Sequence, residues 1–463
     1  MRPYGSSGAV GAPGTVAPRP SCSILGVIES SLDSSQTQLD VAEAAQRRKA
    51  LRASIHDLIQ QHFELLPGLP ADECPLSVPL YGAEEVSDAL ESLLEQNVTM
   101  GVRVRAFEEK FAAMVGTKHA IMVNSGSSAN LLALAVLSSP TLPGALREGD
   151  EIIVPAVTWS TTLAPILQHG CVPVLVDVDP YTLNLQPERL HEALSARTRA
   201  IMPVHLLGNP VDMNPLMDFA KQHDLWVIED TCESLGSTVG GRQVGSFGHF
   251  GTFSFYFSHH ITTIEGGMLV TNDDRMADLA RSIRAHGWTR DMTNREELEQ
   301  ANPWVDPRFL FVNIGYNLRP MEIQGAFGLV QLDRLEEFNE RRRANAQYLL
   351  GALSDLTDHL QFVTEQEGAR STWFGFTVMV KDGETRRALS RHLESRGIAT
   401  RPIVAGNLAV QPAFRDNPHR TVGTLATATR VGERGLFVGN HPNLTQGHLD
   451  HIVDGFRSFF AGA

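Results

Sequence analysis

Between Lys221 and Lys381 the chain contains no lysine. Only Lys49, Lys110, Lys118, Lys221 and Lys381 occur, so a reaction that needs a lysine amine must find it among these. Cysteine is also scarce. Cys22, Cys74, Cys171 and Cys232 stand far apart with no CxxC pair, which argues against a disulfide scaffold and a zinc site. No run of about 18 apolar residues exists, so no membrane-spanning helix is expected. The start of the chain lacks the charged-then-apolar order of a signal peptide, and a cytoplasmic location is expected. Basic side chains are the minority, 39 against 53 acidic, for a net charge of −14. That balance argues against nucleic acid or an anionic membrane as main partner. It leaves room for a local basic pocket around a phosphorylated ligand.

What is present is ordinary in bulk and specific in order. The 463 residues suffice for two domains and a large core. Residues 1–37, rich in Gly, Ser, Pro and Ala, bury too little apolar surface to offset ordering and are expected to be disordered. Residues 38–81 form a helical segment and linker, with Leu51, Ile55, Leu58, Ile59 and Phe63 at helical spacing. From residue 82 short apolar runs at 152–156, 171–178, 200–207 and 225–230 alternate with helical stretches. This pattern predicts an α/β fold with a mostly parallel sheet covered on both faces. A long amphipathic helix near 320–351 is expected to lead from a large domain, 82–340, into a smaller α+β domain, 341–463.

Polar residues cluster just after the apolar runs, where ligands bind in parallel sheets. NSGSSANLLAL (124–134) carries Gly126, Ser127 and Ser128 between a strand and a helix. Free amides and hydroxyls at a helix start suit a phosphate, although a serine-rich helix cap reads the same way. Trp159, just past a strand, could stack on a planar ring, but a tryptophan there is more often core. Asp230 ends the strand WVIED and could pair with a protonated ring nitrogen, or simply cap the next helix. Glu233 lies one helical turn on.

The stretch TFSFYFSHHITTIEGGM (252–268) adds Ser254 as a further phosphate ligand. His259 and His260 point opposite ways if the backbone stays extended, one toward a pocket and one toward a neighbour. No further ligands at metal spacing accompany them, so no metal is expected. In GYNLRPMEIQGA (315–326), Asn317 and Arg319 are candidate donors across a subunit boundary, or parts of an ordinary helix start.

Phosphate loop, aromatic, strand-end Asp and a Ser on a later strand follow one another here in an order that resembles fold-type I pyridoxal-phosphate enzymes. Over residues 75–460 the chain is similar to the DegT/DnrJ/EryC1/StrS family. The likeness rests on SHHITTIEGG, IRAHGWTR (283–290), GYNLRP (315–320), WFGF (373–376), RPIVAGN (401–407) and GLFVGNH (435–441). The family pattern resembles SFxxxKxITxGEGG, and His259 stands at the lysine position. The same exchange marks a subgroup of sugar 3-dehydratases. One branch of the family carries an iron–sulfur cluster on cysteines between the equivalents of HGWTR and GYN. Residues 287–317 here contain none, so no iron–sulfur cluster and no partner reductase are expected.

The resemblance implies a large domain with a parallel sheet, a smaller C-terminal domain, and pyridoxal phosphate or pyridoxamine phosphate as cofactor. A lysine would hold that cofactor covalently and move protons. Histidine cannot make the bond, so the cofactor would be held non-covalently, while imidazole still serves as base and then acid. The implied reaction removes the C3 hydroxyl of a nucleotide-linked 4-keto-6-deoxyhexose. It gives a 4-keto-3,6-dideoxy sugar and ammonia, with L-glutamate as amino donor. By matching position, Ser127, Ser128, Ser254 and Asn317 of the partner subunit in a homodimer would hold phosphate. Trp159 would stack, Asp230 would hold the ring nitrogen protonated, and Glu233 would lie near the ring's O3′ edge. His286, Arg290, Arg319 and Arg401 are looser candidates for sugar or pyrophosphate. Two other readings remain: an aminotransferase that uses another lysine, and a non-catalytic binding protein on the same scaffold.

Overall fold

The computed structural model describes residues 41–461; the expected disorder at 1–37 lies outside the described residues. The chain divides into two units at Leu58/Ile59. The described part of the first is helical, within the helix Val41–Glu64. No helix among the described residues is long and apolar enough to cross a membrane.

The second unit is built on an eight-stranded sheet. Its strands are β1 (His119–Val123), β2 (Glu151–Pro155), β3 (Val172–Val176), β4 (Thr198–Ile201), β5 (Trp226–Asp230), β8 (Phe250–Ser254), β9 (Gly267–Thr271) and β14 (Arg420–Thr421). Short pairs at Thr238–Val239 (β6), Arg242–Gln243 (β7) and Ala369–Arg370 (β11) form a separate small sheet. The large sheet runs β1-β9-β8-β5-β4-β2-β3-β14, and every neighbouring pair is parallel except the two made by β9. β2 and β9 are buried at every position, as strands covered on both faces are. The apolar runs 152–156, 171–178 and 225–230 coincide with β2, β3 and β5, whereas the run 200–207 overlaps β4 only at residues 200 and 201.

β8 explains how a serine reaches the ligand side. Phe253 and Phe255 are buried, and both pack edge-to-face on Phe111, at 5.0 and 5.4 Å between centroids. Alternation along the strand then turns Ser254 to the other face. The long helix Glu322–Ala352 leads to an antiparallel sheet of β10 (Leu360–Phe362), β12 (Gly375–Val380), β15 (Gly435–Gly439) and β13 (Thr400–Pro402) in the order β10-β12-β15-β13. The C-terminal part also extends the large sheet through β14. There Arg420 meets the buried Glu151 carboxylate at 2.7 Å, beside Arg197 at the same distance.

Candidate active site

At the C-terminal ends of β1, β5 and β8 lies a cavity of about 400 Å³. Its wall includes Gly126, Ser127, Trp159, Asp230, Glu233, Ser254 and His259, so seven of the sequence candidates meet in one place. Ser125, Asn130, Thr158, Thr161, Glu265 and Phe374 complete much of the remainder. No lysine lines it. Lys110 and Lys118 are tied instead to Asp333 and Asp274 by ion pairs.

One end of the cavity is the start of the helix Gly126–Leu137. Ser125 is its cap, and the Ser125 hydroxyl accepts from the Ser128 amide at 3.1 Å and donates to the Ser128 hydroxyl at 3.0 Å. Ser128 is thus engaged by the cap and does not line the cavity; Ser125 does. First-turn amides have no partner within a helix, so those of Gly126 and Ser127 remain open to an anion. Glycine is required at 126, since an added Cβ would stand 2.5 Å from the Ser254 Cβ. That close approach brings the Ser254 hydroxyl beside the helix start.

At the other end, Asp230 is 5% exposed. One carboxylate oxygen accepts from Asn130 Nδ2 at 2.9 Å and Thr162 Oγ1 at 2.8 Å. The other accepts from the Cys232 amide at 3.3 Å. Thr252 donates to Asn130 Oδ1 at 2.6 Å, which orients that amide toward Asp230. Sequence reasoning missed Asn130 and Thr162. Asn130, an amide in an otherwise apolar helix, was the available signal. Trp159 caps the helix Ser160–Gln168 and is 59% exposed, so it is a wall of the cavity and not a core residue. Serines and open amides at one end, an indole on the wall and an anchored carboxylate at the other end fit a flat cationic ring carrying a phosphate arm.

Glu233 Oε2 accepts from the Leu207 amide at 2.9 Å. Burial pushes its carboxyl up to about 7, with Asp230 adding to the rise. Past β8 the chain turns, and the His259 amide bonds to the Tyr256 carbonyl at 2.9 Å. The two histidines therefore diverge at a turn, not along an extended strand. His259 is half-buried in the cavity wall; His260 is buried and does not line it. The ring of Phe374 lies 5.3 Å from His259 and 5.6 Å from His260.

The remaining candidates sit elsewhere. Asn317, Arg290 and Arg319 line a second cavity of about 370 Å³, with Arg105. Arg319 Nε donates to Asn317 Oδ1 at 3.0 Å. His286, at φ 66°, lies beside Trp288 and lines neither cavity. Arg401 is exposed on β13, away from both.

Buried histidines make stability depend on pH. Burial and the Arg342 charge push His259 down to about 4 and His441 down to about 3, and drive His260 well below its ordinary value. Unfolded imidazoles take up protons near 6.5. Above that pH neither state is protonated. As pH falls through 6.5 toward 4 and then 3, these histidines take up protons only in the unfolded chain, so their contribution to stability falls, while Glu233, raised to about 7, acts in the opposite sense. The slope is about 1.4 kcal/mol per pH unit for each such histidine. Urea midpoints at pH 7 and pH 5 should diverge for the wild type and diverge less for His441→Leu. Equal divergence in the two proteins would contradict a neutral buried His441.

Comparison with known proteins agrees with this geometry. Residues 79–457 match the model of the DegT/DnrJ/EryC1/StrS aminotransferase family. The GDP-4-keto-6-deoxy-D-mannose 3-dehydratase of Yersinia pseudotuberculosis is 40% identical over 79% of this chain and 94% of its own. The dTDP-4-dehydro-2,6-dideoxy-D-glucose 3-dehydratase of Saccharopolyspora spinosa is also 40% identical, over 80% of this chain and 83% of its own. Among solved structures, the E. coli GDP-4-keto-6-deoxy-D-mannose 3-dehydratase with bound hydrated pyridoxal phosphate aligns with a TM-score of 0.78 at 38% identity. That alignment covers 83% of this chain and 99% of the other. The chain belongs to the DegT/DnrJ/EryC1/StrS aminotransferase family.

Proposed function

We propose that the protein is a pyridoxal-phosphate-dependent 3-dehydratase of a nucleotide-linked 4-keto-6-deoxyhexose. The observation that carries this reading is His259 in the wall of a cavity that no lysine lines. Relatives that share 40% identity and are named as 3-dehydratases support it. Their names differ in nucleotide, GDP and dTDP, and the GDP-sugar is proposed here on the strength of the structural likeness.

The cofactor, when bound in its aminated form, supplies an amine for the sugar ketone and a ring that draws electrons from C4′. Ser127, Ser254 and the open amides of Gly126 and Ser127 would hold its phosphate arm. Trp159 would cover one ring face, and Asp230 would keep a proton on the ring nitrogen. His259 would accept the proton from C4′ and then deliver a proton to the C3 hydroxyl as it leaves. With no lysine amine at hand to protonate the sugar at C4, loss of the hydroxyl replaces amination. The products would be ammonia and the 4-keto-3,6-dideoxy sugar, with L-glutamate as the amino donor. Glu233, half-buried beside Asp230, is suited to the O3′ edge.

The test of non-covalent binding is direct. After borohydride treatment in the presence of pyridoxal phosphate, the intact mass should equal that of the unmodified chain. A stable adduct on any lysine would overturn the reading in favour of an aminotransferase with a displaced lysine.

The working unit is proposed to be a homodimer. Asn317 is exposed and lies in the second cavity, with Arg290 and Arg319. That placement suits a surface that completes the neighbouring subunit's site. Trp304, Phe309, Phe311 and Ile314 on the same segment are exposed apolar groups that a partner would cover. His259→Ala and Asn317→Ala are each expected to be inactive, and mixed dimers should regain activity by forming one intact site. No rescue in verified mixed dimers would count against a shared site.

A further inference from the structure

Arg342, on the long helix Glu322–Ala352, is 2% exposed and has no carboxylate within ion-pair distance among the described residues. Its guanidinium donates to the Phe374 carbonyl at 3.2 Å and to the Asn440 carbonyl, and Nε has no partner. Burying a cation without a counter-ion costs several kcal/mol, and two carbonyls offset only part of that. A buried, perturbed charge beside a cleft is a candidate for acting on a neighbour. The neighbour is reached through one ring. Arg342 Cζ lies 5.9 Å from the Phe374 centroid, and the same ring contacts His259 at 5.3 Å.

We propose that Arg342, acting through the Phe374 ring, is a positioning residue that holds His259 in its neutral, proton-accepting form. The proposal rests on reading His259 as the base. The ionisable groups around His259 are Tyr256 and His260 on its own segment, Asp230 at the end of β5, Cys232 and Glu233 after it, Glu265 before β9, and Arg342. Carboxylates in this set would favour the imidazolium. Asp230, however, is already occupied by Asn130, Thr162 and the Cys232 amide. Burial first, and Arg342 second, set the direction at His259. A neutral imidazole is what the first step requires, because a protonated one cannot take the C4′ proton. Arg342 is itself buried, so its charge is screened less than a surface charge would be.

The test reads His259 itself and does not depend on turnover. Diethylpyrocarbonate acylates the neutral imidazole only, and His259 is open to the cavity. Its rate of modification in the full chain, located by peptide fragmentation, is measured from about pH 3 to pH 8, a range that spans both the wild-type value of about 4 and the ordinary one near 6.5. In the wild type the rate should hold well below neutral pH. In Arg342→Gln, or in Arg342→Met should the first not fold, the midpoint should rise but stay below the ordinary value, because burial remains. Arg342→Lys keeps the charge and should keep the wild-type midpoint. An unchanged midpoint in a folded neutral variant, or a rise in Arg342→Lys equal to that in Arg342→Gln, would overturn the proposal. If His259 is not the base, the midpoint still moves while activity does not follow it, so the two readings fail separately.

Discussion

Replacing His259 with lysine should lower formation of the 3-deoxy sugar by at least about 10²-fold, the lower bound for losing a positioned acid–base group. It should also convert the cofactor from exchangeable to covalently held. The side chain at 259 already lines the cavity, so an amine there reaches the same ligand. Lysine has a longer, more flexible stem than imidazole and can protonate the sugar at C4. Residual product should therefore shift from the deoxygenated ketone toward an aminated sugar. Turnover should remain slow, because the rest of the wall is unchanged. Wild-type rates of ammonia release by the lysine variant would show that His259 is not the base. His260 is a poor substitute, since it is buried and does not line the cavity.

Asp230→Ala should lower turnover by about 10²- to 10³-fold, the usual effect of removing one preorganised charge-stabilising group. Without the carboxylate the ring nitrogen loses its proton, and electrons from C4′ have nowhere to go. The substitution should cost stability as well. Asn130 Nδ2 and the Thr162 hydroxyl now donate to Asp230, and each would lose that bond and keep only its second partner, the Thr161 carbonyl and the Thr158 hydroxyl. A hydrogen bond to a charged group contributes about 1.5–3 kcal/mol. Denaturation and rate measurements on the same preparation separate the effects. A folded Asp230→Ala protein with wild-type turnover would remove Asp230 from the chemistry.

The parts of the fold written in short-range pattern were legible in the sequence. β2, β3 and β5 fall on the apolar runs because strands covered on both faces are largely apolar, while β4 shares only residues 200 and 201 with its run. The helix expected near 320–351 is Glu322–Ala352. Asp230, Ser254 and His259 were legible because they end or follow strands, where ligands of such sheets bind. What escaped depends on contacts far apart in the chain. The exchange of Ser125 for Ser128 at the cavity was decided by which serine caps the helix. Trp159 sits at a helix start with its ring in the open, a placement that hydropathy cannot distinguish from core. β14 is two residues long and pairs with β3 across more than 240 positions, with no local pattern to announce it. Arg342 lies in ERRRANA, a charged stretch that reads as a solvated helix face, yet it is buried behind the cavity.

The central claim is that a histidine in place of the lysine turns a sugar aminotransferase scaffold into a dehydratase. It is tested most directly by incubating the protein with pyridoxal phosphate, L-glutamate and a GDP-linked 4-keto-6-deoxyhexose, and following the sugar nucleotide by mass spectrometry. The account predicts a product lighter than the substrate by one oxygen atom, formed with release of ammonia. A product in which the keto oxygen has been exchanged for an amine, with the C3 hydroxyl intact, would contradict it.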